Sequence, residues 1–164
     1  MDMLIADVEK EDIKNCLDIY NYYIQNTVYT LEEAPLTLSE FSARVKKISK
    51  NFPYIVAKNE RGEAIGYAYL NYFNERSAYR ITANLSVYVA PDGRGKGTGA
   101  ALLREIENRA RARGFENIVS LVTSENTASV NFHLSHGFVK EGELKEVARK
   151  FGKTVGVIFL RKKL

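Results

Sequence analysis

The stretch Asn84–Leu103, NLSVYVAPDGRGKGTGAALL, constrains this chain more than any other. It joins an alternating strand to an amphipathic helix through a turn carrying Gly93, Gly95, Gly97 and Gly99, with Arg94 and Lys96 interleaved. Residues without a Cβ leave main-chain amides bare and open to close approach. The helix that follows adds its unpaired first N–H groups and the positive end of its dipole, so the turn is suited to an anion. Two familiar phosphate loops do not fit. G-x-x-x-x-G-K-[ST] fails because Gly97 follows Lys96 and Ala90 stands five positions before Gly95. G-x-G-x-x-G meets Thr98 when started at Gly93, and only its alanine variant, Ala100, when started at Gly95. The turn also lies mid-chain, without the preceding βα unit that a dinucleotide fingerprint needs. What fits without strain is Arg94-x-x-Gly97-x-Gly99 between a strand and a helix.

Around this turn the periodicities give a single α/β domain spanning residues 1–164, within the roughly 100–200 residues a domain takes. Met3–Asp7 reads as a short strand. Ile13, Cys16, Leu17, Tyr20 and Ile24 fall at helical spacing over residues 10–25. Residues 26–35, NTVYTLEEAP, have no period and read as a loop, after which Thr37-x-x-Glu40 forms a capping box for a second helix. Tyr54–Lys58 and Ala64–Phe73 make a hairpin about Asn59–Gly62. In Ile81–Val89, Ile81, Ala83, Leu85, Val87 and Val89 share one face, with Thr82, Asn84, Ser86 and Tyr88 on the other. That polar face is unusual for a central strand, and is either solvated or lines a site. A helix then runs to Gly114, Ile118–Val122 is a buried strand, Asn126–His136 a helix, and Phe138–Val147 with Thr154–Arg161 a closing hairpin around residues 150–153. The order β-α-α-β-β-β-α-β-α-β-β implies a mixed α+β sheet.

Composition excludes several functions. The 24 basic and 20 acidic residues are spread along the chain, without the basic stripe or recognition motif that nucleic acid needs. No apolar run reaches ~18 residues and the start lacks a signal-peptide pattern, so neither a membrane nor export is expected, and a cytoplasmic location is. Cys16 is the sole cysteine and sits on the apolar face of its helix as a core residue. With His133 and His136 as the other soft donors, no metal site is expected.

The Arg94-x-x-Gly97-x-Gly99 turn after the fourth strand matches the acetyl-CoA signature [Q/R]-x-x-G-x-[G/A]. With the element order, the chain resembles the GNAT acetyltransferase superfamily. It is most similar to the phosphinothricin and methionine sulfoximine N-acetyltransferases, through IYNYYIQNTVYTLEEAP (19–35), GYAYLNYFNERSAYR (66–80), SVYVAPDGRGKGTGAALL (86–103), ENTASVNFHLSHGF (125–138) and FGK (151–153). The resemblance implies the GNAT fold and direct attack of a small amino-acid-like amine on acetyl-CoA, without an acyl-enzyme. It also implies a homodimer, as relatives of this kind often form. It assigns the cofactor to Arg94, Gly95, Lys96, Gly97, Thr98 and Gly99 for the pyrophosphate. The main chain of Val87, Tyr88 and Val89 would serve the oxyanion and the pantetheine arm, and Asn126 the pantetheine region, although asparagine is also a good helix cap. The acceptor would meet Tyr29 and Glu32 from the loop and Phe73, Arg76 and Tyr79 before the fourth strand, with Arg76 suited to a carboxylate.

Two departures from that pattern stand out. Relatives of the phosphinothricin type carry a glutamate two residues before the S/T-V-Y-V run, and this chain has Asn84, which cannot be a general base. His133, in the N-x-A-S-x-x-x-H stretch, is the leading replacement acid/base, its ordinary pKa of ~6.5 suiting proton transfer, with Glu32 and Glu33 of the loop as further candidates. Thr154 also follows Lys153 where relatives often have an aromatic residue. Two alternatives therefore stand beside the small-amine reading: an acetyltransferase for peptide or protein amino termini, and a non-catalytic acetyl-CoA sensor.

Overall fold

The computed structural model describes residues 3–164. Its elements follow the expected order: β1 (Leu4–Asp7), α1 (Ile13–Asn26), α2 (Leu38–Ser49), β2 (Tyr54–Lys58), β3 (Ala64–Tyr72), β4 (Thr82–Val89), α3 (Thr98–Ala112), β5 (Asn117–Thr123), α4 (Thr127–Ser135), β6 (Val139–Lys150) and β7 (Lys153–Lys163). One seven-stranded sheet runs β1-β2-β3-β4-β5-β7-β6. All pairings are antiparallel except β4–β5, the pair that α3 connects.

Local chemistry explains the elements. The capping box closes as the sequence predicts, with Glu40 N donating to Thr37 Oγ1 at 3.2 Å and Thr37 N donating to Glu40 Oε2 at 2.8 Å. Leu102, Leu103, Ile106 and Ala110 of α3 bury against Ala68, Leu70, Ala83 and Leu85 on one face of the sheet. On the other, α1 and α2 cover a layer of tyrosines in which Tyr54 stacks on Tyr69 with centroids 4.8 Å apart and Tyr67 on Tyr88 at 5.4 Å. Cys16 is enclosed there, and burial pushes its thiol up to about 12, which leaves it unreactive. The closing hairpin is longer than its periodicity suggests. Its turn is only Phe151–Gly152, both at positive φ (53° and 71°), and β6 carries a bulge at Glu146 (φ 54°).

The decisive feature is a separation within the sheet. β4 and β5 pair only from Thr82↔Asn117 to Asn84↔Val119. Beyond that β4 continues to Val89 along β3, and β5 to Thr123 along β7, with no shared ladder. Beyond Leu85 the main-chain groups that β4 turns toward β5 therefore have no partner on β5, and the Val89 carbonyl at the end accepts from the Tyr23 hydroxyl instead.

Candidate active site

The gap between β4 and β5 opens into a cavity of about 470 Å³. Leu85 and Ser120 lie at its narrow end, Val89 and the glycine turn at the wide end, about 13 Å away at the usual rise per strand residue. Val87, Tyr88 and Val89 line it, as do Gly95, Gly97, Thr98 and Gly99. Gly97 caps α3 at φ 83°, and Gly95 lies at φ 75°. A Cβ at either would meet nothing within 4 Å, so the demand for glycine comes from the backbone conformation and not from space. Thr98, at the first position of α3, is buried with its Oγ1 unpartnered. An oxygen-rich anion seated on the first turn would supply an acceptor to that hydroxyl.

Arg94 is held in place by Tyr23, which the sequence did not single out, and by Tyr29. Its Nε and Nη2 donate to the Tyr23 hydroxyl at 3.1 and 2.9 Å, and its guanidinium lies over the Tyr23 and Tyr29 rings, 5.2 and 5.8 Å from their centroids. Tyr23 Oη in turn donates to the Val89 carbonyl at 2.5 Å. One helix residue thus ties the end of β4 to the arginine of the turn. Asn126 caps α4, its Oδ1 accepting from Ser129 N at 3.2 Å, and also faces the cavity.

His133 lines the cavity but is buried. Its Nδ1 lies 2.7 Å from the Ser129 carbonyl, which can only accept, so Nδ1 carries the proton. Nε2 is then the acceptor for the Ser120 hydroxyl at 2.9 Å. Burial lowers the pKa of His133, the Ser129 carbonyl opposes that shift, and His136 adds to it. The polar residue inside the apolar strand Ile118–Val122 was the available signal for Ser120.

Other predicted residues lie away from the cavity. Asn84 sits at the last β4–β5 pair, behind the narrow end, with Oδ1 buried and without a partner. Lys96 is exposed outside the cavity lining. Glu32 is engaged by Arg44 Nη1 and Nη2 at 2.8 and 2.5 Å and by the Tyr20 hydroxyl, and the Arg44 hydrogen bonds hold its carboxyl below the usual range. Phe73, Arg76 and Tyr79 lie on the exposed β3–β4 connection, the two rings 5.7 Å apart. Tyr29 alone of the five acceptor candidates reaches the cavity.

Residues 5–156 match the family model described as Acetyltransferase (GNAT) domain. The chain belongs to the GNAT acetyltransferase family. A phosphinothricin N-acetyltransferase of Alcaligenes faecalis is 35% identical over 159 residues, covering 96% of this chain and 80% of that protein. An L-methionine sulfoximine/L-methionine sulfone acetyltransferase of Pseudomonas paraeruginosa is 34% identical over 165 residues, covering 98% of this chain and 94% of that protein. Among solved structures, a GNAT phosphinothricin acetyltransferase from Sinorhizobium meliloti in complex with acetyl-CoA superimposes with a TM-score of 0.95 at 35% identity, covering 100% of this chain and 89% of that one. The GNAT chain is an N-acetyltransferase that takes acetyl-CoA as co-substrate. Its own atoms suit that substrate: bare amides and an unpartnered Thr98 hydroxyl at one end, and free β4 main chain along the gap. Among the described residues no group of three or more His, Cys, Asp or Glu is placed to hold a metal ion, and no helix is long and apolar enough to cross a membrane.

Proposed function

We propose that this GNAT enzyme is a cytoplasmic acetyltransferase for the amine of small amino-acid-like compounds of the methionine sulfoximine and phosphinothricin type. The observation that carries the reading is likeness over the full chain to enzymes so named, centred on the β4–β5 cavity. In this reading the amides of Arg94–Gly99, with Lys96 at the rim, neutralise the pyrophosphate. Main-chain groups of Val87–Val89 hold the pantetheine arm and polarise the thioester carbonyl, and Asn126 adds an amide at the far wall. Tyr29 faces the acceptor, Glu32 stiffens its loop through Arg44, and Arg76 between Phe73 and Tyr79 offers a fork for the acceptor carboxylate. Asn84 has no titrating proton, so acid–base work falls to the His133 side of the cavity.

The sheet face formed by β5, β7 and β6 on the side of α1 and α2 carries Leu121, Val139 and Leu144, each about half exposed. That contiguous apolar surface supports a homodimer. Light scattering reads it directly, and a monomer at micromolar concentration refutes it. Thiol release from acetyl-CoA, measured against methionine sulfoximine, phosphinothricin, free amino acids and short peptides, tests the acceptor. Turnover confined to peptides replaces the acceptor class. Tight acetyl-CoA binding with no turnover on any amine makes the chain a sensor.

A further inference from the structure

Both nitrogens of His133 are occupied by protein groups, and this decides how a proton reaches it. Nδ1–H is fixed on the Ser129 carbonyl at 2.7 Å, and Nε2 accepts the Ser120 hydroxyl at 2.9 Å. A group in the cavity cannot exchange a proton with either nitrogen without displacing one of those partners. Ser120 itself lines the cavity. It is the first β5 residue past the final β4–β5 pair, Asn84↔Val119, and so stands at the narrow end of the gap. With the pyrophosphate on the α3 turn at the wide end, a thioester carried along β4 arrives beside it. Ser120 is only 3% exposed; it lines the cavity beside His133, and its hydroxyl is the group that occupies Nε2.

We propose that the Ser120 hydroxyl, backed by His133, is the proton-transfer group of this acetyltransferase, carrying the proton of the attacking amine to the departing sulfur. The proposal rests on the amine-acetylation reading above and assigns its acid–base step. The nitrogen lone pair forms the new C–N bond, and the C–S bond breaks with its electron pair left on sulfur. The surplus N–H proton passes to Ser120 Oγ as the serine proton moves to His133 Nε2. The imidazolium then returns a proton to Ser120 Oγ, and the serine proton moves to sulfur. The products are an amide and a thiol, no net proton is gained or lost, and no oxidant or reductant is involved. One hydroxyl suffices for both transfers because nitrogen and sulfur meet at the same acetyl carbon. The Ser129 carbonyl, accepting from Nδ1–H throughout, keeps Nε2 as the reactive nitrogen and stabilises the transient imidazolium, as an orienting third group does in other hydroxyl–imidazole pairs. Burial favours return of that proton, because a desolvated imidazolium is a stronger acid than an exposed one.

Ser120→Ala tests the relay with a panel that separates chemistry from packing. The expected result is a fall in kcat of about a hundredfold or more, the lower end of what a positioned acid–base group supplies. The acetyl-CoA Kd should stay within about twofold of native, since the pyrophosphate contacts are untouched. Ser120→Thr keeps a hydroxyl and should retain most of kcat. His133→Gln should lose about as much as Ser120→Ala, and the double variant no more than either, because the two act as one unit. A Ser120→Ala enzyme within threefold of native kcat, or losses that multiply in the double variant, overturns the proposal. Nitrogen NMR of histidine-labelled native protein gives a readout that needs no acceptor. Nδ1–H with a hydrogen-bonded, unprotonated Nε2 is expected. A proton on Nε2, or titration at the ordinary value of about 6.5, overturns the relay whatever the acceptor is. The expected tautomer together with no turnover on any amine refutes the acceptor reading instead.

Discussion

Tyr23→Phe asks whether one hydroxyl positions the arginine of the glycine turn. In the native chain that oxygen donates to the Val89 carbonyl at 2.5 Å and accepts from Arg94 Nε and Nη2 at 3.1 and 2.9 Å. Phenylalanine keeps the ring under the guanidinium and removes only the oxygen. A neutral hydrogen bond contributes about 1 kcal/mol net, and one to a charged group about 1.5–3 kcal/mol. Arg94 is exposed, so water replaces its lost acceptor and the charged bonds count at or below the low end. The expected loss of stability is about 1–2 kcal/mol, or a fall in Tm of about 3–6 °C for a domain of this size. Binding changes for a separate reason. An unclamped arginine must be ordered by the ligand, at about 0.5–1.5 kcal/mol for a rotamer-rich side chain, so the acetyl-CoA Kd should rise about three- to tenfold. Calorimetric titration and thermal unfolding on one preparation read both quantities, with Arg94→Ala as reference. A Tyr23→Phe protein that is less stable yet binds acetyl-CoA as tightly as native refutes the clamp. So does a Tyr23→Phe/Arg94→Ala pair whose Kd penalties simply multiply.

Four other outcomes follow from contacts elsewhere in the chain. Because the folded pKa of His133 lies below its unfolded value, the unfolded chain binds more protons as pH falls past about 6.5. Stability is therefore full above that pH and declines below it, by at most about 1.4 kcal/mol per pH unit from this group, and urea titrations at pH 7.5, 6.5 and 5.5 should show a slope that His133→Gln flattens. Glu32, held down by Arg44, adds its own loss only below about pH 4.5. Lys150 is 1% exposed, its Nζ donates to the Thr30 carbonyl at 2.9 Å, and desolvation lowers its pKa. Lys150→Met should leave Tm unchanged or raise it, as replacing a buried charge by an apolar group often does, while speeding amide exchange in loop residues 27–36; a lower Tm with unchanged exchange contradicts this. At Gly156 a Cβ would stand 2.8 Å from the Leu144 carbonyl oxygen and 3.3 Å from Lys145 Cα, both main-chain atoms of the β6 bulge. Gly156→Ala should cost about 1–3 kcal/mol, and calorimetry showing no loss means that the bulge yields freely.

The element order and the amide cradle were legible because both are local signals, periodicity in one case and glycines before a capped helix in the other. The gap between β4 and β5 was not. Val87 and Val89 alternate with Ser86 and Tyr88 whether or not a strand pairs beyond them, so alternation reports the pleat and is silent on the neighbour. Tyr23 escaped notice because its role depends on Val89 and Arg94, both far along the chain. The final turn was legible at residues 150–153, but the strands run closer to it than their periodicity suggests, because Phe151 adopts a positive φ uncommon for an aromatic residue and leaves only two residues in the turn. Glu32 looked available in a loop rich in acids, but Arg44 of α2 takes both of its oxygens.

Asn84 and the Ser120–His133 pair lie on opposite faces of the sheet, and the difference has a kinetic consequence. Asn84 shares its face with Tyr88, which packs on Tyr20 of α1. Ser120 shares its face with Ile118 and Val122, which join the core under α3, and it meets His133 from α4. A carboxylate at position 84 would take a proton from an incoming ammonium on the α1 side. The relay instead returns a proton to sulfur and does nothing for an amine that arrives charged. With asparagine in place, only the neutral fraction of the acceptor reacts, so kcat/KM should climb tenfold per pH unit up to the amine's own pKa. Asn84→Glu puts a carboxylate where the Oδ1 atom is already buried, so desolvation raises its pKa toward neutrality and makes it an effective base. The acid limb of kcat/KM should then move to lower pH, with kcat at high pH little changed because the sulfur is still protonated through Ser120. A folded Asn84→Glu enzyme with the native pH profile would show that ammonium deprotonation does not limit this reaction.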